Sequence, residues 1–300
     1  MTDIEHKSVL LNEVLHYLNP SVGEVYIDMT INGGGHSSKV CPSLGKKGVL
    51  VGIDQDSSAL VRAKQRIGKC DAKIHLVEDN FRNVKTICEK LGILHVDKVL
   101  FDLGLSTHEL EVSGRGFSFQ KDEPLLMTFS ADPLKAAFTA SDIVNTWAKE
   151  NIAAVIEGYG EERYAWKIAE SIVVAREVKK IETTKELVDI ISAGVPPRLR
   201  RGKTHFATKT FQALRIAAND EIRSLEEALE AIWVLLAPRG RIAIISFHSI
   251  EDRVVKRFFR NKQDEGLGKL LTKKPIAPSE EELTENRRAR SAKLRVIEKL

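Results

Sequence analysis

Short apolar runs that each end in an aspartate recur along the first third of the chain, and this pattern restricts the fold more than any other feature. Segments with the apolar spacing of an amphipathic helix separate the runs, for example residues 57–67 and 82–91. Strands that alternate with helices need crossover connections, so the pattern predicts an α/β fold on a mostly parallel sheet. The runs and their acids are residues 25–27 with Asp28, 48–53 with Asp54, and 96–101 with Asp102.

The alternation stops near residue 112 and resumes near residue 216, which predicts a helical insert within one α/β domain. Residues 113–130 are rich in Gly, Ser and Phe and predict an ordered loop, whereas residues 139–193 have helical spacing. We therefore expect the sheet domain at 1–112 and 216–300, and the insert at 113–215. The other expected elements are a helix over 8–18 capped by Ser8, strands at 73–77, 241–246, 269–274 and 292–297, a helix capped by Ser141, and helices over 218–236 and 250–260.

A run of three glycines, residues 33–35, follows the first predicted strand and precedes a helix that begins near His36. Such a loop lets a ligand approach the backbone closely. The dinucleotide motif G-x-G-x-x-G is incomplete, because Ser38 stands where its third glycine belongs. S-adenosylmethionine has no pyrophosphate and needs less of this loop, and Asp54 could accept both hydroxyls of an adenosine ribose. The structural alternative is a tight turn followed by a capped helix.

Aspartates at the ends of three of the first four predicted strands indicate a polar ligand, because ligand crevices in open α/β sheets lie outside the carboxyl ends of the strands. Residues 78–81 follow the third predicted strand and could contact adenine, with the Phe81 ring stacking on the base. The structural alternative is a helix cap at Asp79 or Asn80 with the Phe81 side chain in the core.

Two segments carry side chains that could act in catalysis. Asp102 is followed by a Ser, a His and a Glu within residues 106–109, but the Gly-x-Ser-x-Gly elbow of hydrolases is absent, which argues against a triad. The segment after the fifth predicted strand contains Ser246 and His248. His248 could be a base, or it could precede a helix whose N-cap is Ser249.

Charge is distributed unevenly around a small net charge of +4. Residues 196–215 hold six Lys/Arg and no Asp/Glu, and residues 253–300 carry a net +7, which leaves −9 on the remainder. Basic segments on an acidic body indicate a polyanion such as RNA, and the alternative is a solvated basic face. The candidates for phosphate contact are Arg198, Arg200, Arg201, Lys203 and Lys209.

The three cysteines are scattered and form no C-x-x-C motif, which favours a reducing compartment and argues against disulfides and zinc. No apolar run reaches the length of a membrane span, and the charged N-terminal residues are unlike a secretory signal. We expect a cytoplasmic protein.

Eight motifs in one order resemble the RsmH (MraW) family of bacterial small-subunit ribosomal RNA cytosine-N4 methyltransferases, over nearly the whole chain. They are residues 6–14 (HKSVLLNEV), 33–37 (GGGHS), 102–106 (DLGLS), 115–119 (RGFSF), 159–163 (YGEER), 208–216 (TKTFQALRI), 246–253 (SFHSIEDR) and 286–295 (NRRARSAKLR).

The resemblance implies a class I methyltransferase sheet, Rossmann-like, with an inserted RNA-contacting helical domain. It implies S-adenosylmethionine as methyl donor and, as acceptor, the N4 amine of a cytidine in the decoding region of 16S ribosomal RNA, with the RNA assembled in the small ribosomal subunit. Three departures stand out: Glu109 replaces the usual Gln, residues 126–130 read LMTFS where the family usually has DMRMD, and Phe206 replaces the usual Pro. The cofactor residues carried over by motif are Gly34, Gly35, His36, Asp54, Phe81, Asp102 and Glu109.

The cytosine amine is a poor nucleophile because its lone pair is conjugated into the ring, so a group that accepts its N–H would assist methyl transfer. Asp102, Ser246 and His248 are the candidates for that acceptor. Two other functions stay open at this point: an NAD-dependent oxidoreductase on the same sheet, and an RNA-binding assembly factor that has lost turnover.

Overall fold

The computed structural model describes residues 7–202 and 204–300, without the side chain of Arg201. The chain divides into two compact units, which we call the sheet unit (residues up to Gly104, with Ile222–Leu300) and the helical unit (Leu105–Glu221). The helical unit is slightly longer at both ends than the expected insert. Leu110 packs on the core of the helical unit, and the left-handed Asp220 separates the last helix of that unit from the next helix.

The described residues contain seven strands and thirteen α-helices. The strands are β1 Val25–Asp28, β2 Val49–Asp54, β3 Lys73–Glu78, β4 Val96–Asp102, β5 Leu236–Ser246, β6 Gly268–Leu270 and β7 Lys293–Lys299. The helices are α1 Leu11–Leu18, α2 Gly35–Leu44, α3 Ser57–Ile67, α4 Val84–Leu91, α5 Thr107–Glu111, α6 Ala140–Thr146, α7 Lys149–Gly160, α8 Ala165–Val178, α9 Thr184–Gly194, α10 Thr208–Asn219, α11 Glu221–Leu235, α12 Ser249–Asp264 and α13 Glu280–Glu285.

The strands form one sheet in the order β3-β2-β1-β4-β5-β7-β6. Strands β1 to β5 pair in parallel, whereas β7 runs antiparallel to both β5 and β6. The predicted α/β class with a mostly parallel sheet is therefore confirmed. The chain order reverses between β1 and β4, the position at which open α/β sheets bind ligands.

Both faces of the sheet are buried, which explains why its strands are continuous apolar runs. Neighbouring residues of a strand point to opposite faces. Tyr26 and Leu50 pack into one core layer, whereas Ile27 and Val51 pack into the other. Because β1 pairs in parallel with both β2 and β4, the polar carboxyl ends of these strands lie at one edge of the sheet.

The helical unit has a core of its own, built from α6 to α10 and from the ordered loop that precedes them. Ile152, Ile168 and Leu214 are fully buried in that core. The loop is tied down by a bridge between Pro124 and Thr183. Among the described residues, none of the helices combines the length and the apolar character that a bilayer crossing needs.

Three predicted helix starts were wrong because a neighbouring residue has the backbone geometry that the start requires. Helix α1 begins at Leu11 after a left-handed Leu10, rather than at a Ser8 cap. Thr139, not Ser141, caps α6, because the extended Thr139 accepts from the Asp142 N–H while the Ser141 hydroxyl donates to the Ile181 carbonyl. The helix expected over 218–236 begins at Glu221.

The expectation of no disulfide was also wrong. Cys41 on α2 is bonded to Cys70, with the two Cα atoms 6.0 Å apart, and Cys88 is the free, buried cysteine. Scattered positions in the sequence concealed this pair, because α2 and α3 pack together and bring residues 29 positions apart into contact.

Candidate functional site

The glycine loop is shaped by close packing on its inner side and is open on its outer side. Gly34 has a φ of +73°, and a Cβ there would lie 2.9 Å from the Ala63 Cα. A Cβ on Gly35 would collide with the Ser8 hydroxyl. Gly33, by contrast, would meet nothing within 4 Å. The loop therefore presents bare backbone to solvent at Gly33, where a ligand can approach.

Asp54 lies at the end of β2, and two backbone donors fix its carboxylate. Its Oδ2 accepts from the Asn32 N–H and its Oδ1 accepts from the Asp56 N–H, both at 2.9 Å. Each carboxylate oxygen has two lone pairs, so both can still accept from ribose hydroxyls.

A second strand-end acid, Asp28, is buried beneath the glycine loop. Its Oδ2 accepts from the Ser37 hydroxyl at 2.6 Å and lies 3.4 Å from the Tyr26 hydroxyl, which donates to it. Its Oδ1 accepts from the Thr30 N–H at 3.3 Å. Burial raises the pKa of Asp28 to about 6, although the Ser37 hydrogen bond opposes that shift. Asp28 thus anchors the first turn of α2, which carries Ser37 and follows the glycine loop.

Asp102, at the end of β4, faces the imidazole of His36 across 3.6 Å. Its backbone N–H donates to the Thr30 hydroxyl at 2.7 Å, which fixes the strand end. Within the part of the chain that the structure describes, Asp102 Oδ1 and both ring nitrogens of His36 are buried without a hydrogen-bond partner. Such groups cost about 1–3 kcal/mol each, so this pair is suited to a ligand that supplies polar atoms.

The acids at this edge of the sheet allow a comparison between S-adenosylmethionine and a dinucleotide as the cofactor. Asp54 and Asp102 are acceptors for hydroxyls or for an ammonium group, both of which S-adenosylmethionine carries. Asp54 suits the adenosine ribose of either cofactor, whereas the ammonium group of S-adenosylmethionine is a partner that suits the buried Asp102 carboxylate. The residues therefore fit S-adenosylmethionine better than a dinucleotide.

Phe81 and Glu109 have clear structural partners. Phe81 begins a short 3-10 helix capped by Asn80, and its ring meets Phe101 edge-on at 5.8 Å. Glu109 belongs to the helical unit, where its carboxylate accepts from the Ser106 backbone and hydroxyl in a capping box on α5.

Ser246 is the last residue of β5, and His248 directly precedes α12. The Ser246 hydroxyl lies 3.5 Å from the Lys293 carbonyl. His248, rather than Ser249, is the N-cap of α12: its Nδ1 accepts from the Glu251 N–H, and Glu251 accepts from the His248 N–H. The predicted Ser249 cap was wrong because an extended histidine can offer Nδ1 to the same orphan donor.

The basic candidates lie in the helical unit. Arg198 and Arg200 are exposed on the 3-10 helix Pro197–Arg201, and the Arg200 guanidinium donates to the Val195 carbonyl. Lys209, on the first turn of α10, donates to the Glu161 carbonyl at 2.8 Å. Lys203 and the side chain of Arg201 lie outside the described residues.

Sequence reasoning missed the pairing of His36 with Asp102 and the network around Asp28. The strand-end acids were visible as a pattern, but their partners Tyr26 and Ser37 are separated from each other by the glycine loop. Tyr26 lies inside an apolar run, so only the folded structure shows that its hydroxyl reaches a carboxylate.

Comparison with known proteins gives the family. The family model described as the MraW methylase family matches residues 3–300. This chain belongs to that family. It is similar to the ribosomal RNA small subunit methyltransferase H of Sulfurihydrogenibium sp., with 47% identity over 98% of each chain, and to that of Brevibacillus brevis, with 43% identity over 98% of each chain. A solved structure of an rRNA methylase from Streptococcus thermophilus aligns with a TM-score of 0.43 at 12% identity, covering 97% of this chain and 93% of that one.

Membership of the MraW methylase family confirms the predicted resemblance, the methyltransferase class and S-adenosylmethionine as the cofactor. It also places the glycine loop and the strand-end acids in a methyltransferase. The oxidoreductase alternative loses its support, because its dinucleotide motif is incomplete and the family is a methylase family.

Proposed function

We propose that this methyltransferase modifies the N4 amine of a cytidine in the decoding region of 16S ribosomal RNA, within the small subunit and in the cytoplasm. The relatives named above are ribosomal RNA small subunit methyltransferases, which supports an rRNA substrate. The observation that carries the chemistry is the buried carboxylate of Asp102, whose Oδ1 has no hydrogen-bond donor among the described residues.

The cofactor site combines the glycine loop with the strand-end acids. When bound, S-adenosylmethionine supplies an electrophilic methyl group on a sulfonium. Asp54 would accept the ribose hydroxyls, and Phe81 would face the base. The residues proposed to hold the cofactor are Gly34, Gly35, His36, Asp54, Phe81, Asp102 and Glu109.

Asp102 is the first candidate for the group that accepts the amine N–H. The backbone of Asp102 is fixed by Thr30, and its Oδ2 faces the imidazole of His36, so Oδ1 is left to take a proton from an incoming amine. Accepting that N–H releases the nitrogen lone pair from conjugation with the ring. Ser246 and His248 are the second candidates, because both side chains already have partners within the fold.

Arg198, Arg200, Arg201, Lys203 and Lys209 are proposed to contact RNA phosphates. Their segment contains no acid, and the described side chains of Arg198, Arg200 and Lys209 are exposed. A cytidine in folded RNA must also leave its stack before the amine at its edge can attack a methyl group in line.

The test is transfer of a radiolabelled methyl group from S-adenosylmethionine to small subunits isolated from a strain that lacks this enzyme, followed by mass mapping of the modified nucleotide. We expect one label on the N4 position of one cytidine. Free 16S RNA is the matched substrate for comparison. Binding without transfer on either substrate would instead support a non-catalytic assembly factor.

A further inference from the structure

Three aromatic rings lie in contact in the helical unit, beside the start of α10. The His205 ring stacks on Phe119 with centroids 4.4 Å apart and an interplanar angle of 10°. It also stacks on Phe206 at 4.3 Å and 29°. His205 is exposed, and the two phenylalanines are half-buried. We call these three rings the aromatic platform.

The aromatic platform is anchored to the core of the helical unit. Phe119 meets the buried Phe211 of α10 edge-on at 5.5 Å. The Ala207 N–H donates to the Nδ1 of His205, which holds the imidazole in place. Desolvation lowers the pKa of His205, which favours the neutral ring at pH 7, and the imidazole joins the two phenylalanine rings into one stack.

A cation, Lys209, lies on the first turn of α10, three residues after Phe206 in the chain. Lys209 reaches the carbonyl of Glu161, at the end of α7. Two residues later, the Arg163 guanidinium lies 5.1 Å from the centre of the Tyr164 ring. The guanidinium groups of Arg163 and Arg198 lower the pKa of the Tyr164 hydroxyl, which associates this cluster with the 3-10 helix that carries Arg198.

We propose that the aromatic platform and its cations form a binding site for unpaired nucleotides of RNA, in which bases stack on the rings and phosphates contact the guanidinium and ammonium groups. This inference rests on the proposed RNA substrate and adds which part of the RNA the helical unit recognises. The uncharged rings of Phe119, His205 and Phe206 do not bind phosphates. The basic charge of residues 196–215 alone therefore does not imply that bases stack on the platform.

Two observations favour unpaired RNA over other partners. Bases in a duplex are stacked on both faces and cannot stack on a side chain, whereas unpaired bases stack readily on aromatic rings. The neighbouring cations are Arg163, Arg198 and Lys209; of the two adjacent acids, Glu161 and Glu162, the Glu162 carboxylate accepts from the Tyr164 N–H at the start of α8. An apolar peptide would gain nothing from three cations, whereas an RNA strand carries a phosphate at every base.

The first test uses fluorescence anisotropy with labelled decauridine, which contains no cytidine and is therefore not a methyl acceptor. Phe206→Leu keeps an apolar side chain and removes the π-face. We expect it to weaken decauridine binding about tenfold, the effect of losing one stacked base. Binding to a duplex of decauridine with decaadenosine should be unchanged. The matched control is Phe138→Leu, which alters another partly exposed phenylalanine of the same unit.

A second measurement separates stacking from charge. Arg163→Gln with Arg198→Gln should reduce the salt dependence of decauridine binding by about 1.4 in slope, at about 0.7 for each lost phosphate contact. Phe206→Leu should leave that slope unchanged. Photocrosslinking of RNA that contains 4-thiouridine should place the adduct on a peptide that includes Phe119 or residues 205–206.

The proposal is overturned if Phe206→Leu and Phe138→Leu bind decauridine equally well, or if Phe206→Leu weakens duplex binding to the same extent. A crosslink confined to other segments, or to a ribosomal protein in assembled subunits, would also overturn it. Because decauridine binding does not require methyl transfer, a failure here is distinguishable from a failure of the proposed cytidine methylation, which the labelling experiment decides.

Discussion

Asp102 shows how one side chain can serve two roles, and the two roles give different results on substitution. An Asp102→Asn variant keeps the shape of the side chain but loses its charge. If Asp102 contacts the cofactor, the variant should bind S-adenosylmethionine more weakly, as measured by calorimetry. As the N–H acceptor, it should slow single-turnover methyl transfer by about 10²- to 10⁴-fold at saturating cofactor. We expect both losses. Normal values of both quantities would move the acceptor to Ser246 or His248.

Asp54 tests the ribose contact separately. We expect Asp54→Ala to weaken cofactor binding by about 1.5–3 kcal/mol for each lost charge-assisted hydrogen bond. The variant also removes the acceptor for the Asn32 and Asp56 N–H groups, so its melting temperature must be measured alongside. Asp71→Ala, at an exposed aspartate of the same unit, is the control. Unchanged affinity in a folded Asp54→Ala protein would remove this residue from the site.

Asp28 should make stability depend on pH. Its pKa is raised from 3.8 to about 6 in the folded state, so folding favours the protonated form. The stability that this preference provides is complete below pH 4 and is lost as the pH rises to about 6. Asp28→Asn cannot ionise, so its free energy of unfolding relative to the wild type should rise by about 3 kcal/mol between pH 4 and pH 7. Denaturant melts at both pH values measure this difference, and a constant difference would contradict the assignment.

At the scale of elements, the Cys41–Cys70 bond joins α2, which carries the glycine loop at its start, to the segment after α3. Closing a loop of this length stabilises the folded state by about 3–4 kcal/mol in the chain-entropy model. We expect a reductant to lower the melting temperature of the wild-type protein. The double variant Cys41→Ser with Cys70→Ser should melt at the lower temperature with or without reductant. A wild-type melt that is insensitive to reductant would show that the bond does not contribute.

The sequence predicted the elements better than their ends. Strands β1, β2 and β4 were predictable because burial on both faces demands apolar runs, and their terminal aspartates marked one edge of the sheet. The start of α1 was not predictable, since it depends on the left-handed backbone conformation of Leu10, which leucine rarely adopts. The sequence also failed to predict His248 as the N-cap of α12, because histidine is not a usual capping residue. Its Nδ1 accepts from the Glu251 N–H because the His248 backbone is extended.

The same limit applies to the candidate site. The sequence could place Asp28 and Asp102 at neighbouring strand ends, because parallel strands end at one edge. It could not show that His36 faces Asp102, or that the Tyr26 hydroxyl reaches Asp28, since those contacts depend on the path of the glycine loop. Long-range contacts of polar side chains carry no periodic signal in the sequence.

At the scale of the whole molecule, the proposed RNA residues all lie in the helical unit, whereas the proposed cofactor residues other than Glu109 lie in the sheet unit, and each unit has its own core. Substitutions on the surface of the helical unit should therefore change RNA affinity without changing cofactor affinity. We expect Arg200→Ala with Arg201→Ala to weaken binding to 16S RNA and to reduce its salt dependence by about one unit of slope for each lost phosphate contact. Calorimetry with S-adenosylmethionine should give the wild-type affinity.

Lys179→Ala with Lys180→Ala is the matched control for this pair, because it removes two adjacent exposed cations from the same unit. If RNA bound only by non-specific attraction to a basic surface, the salt dependence of RNA binding would fall by the same amount in both double variants. A phosphate site within residues 196–215 requires the loss to be larger for Arg200 and Arg201, since counterions are released only where a phosphate is bound. Equal slopes in the two variants would identify that segment as a solvated face, and the RNA contacts would then have to lie elsewhere.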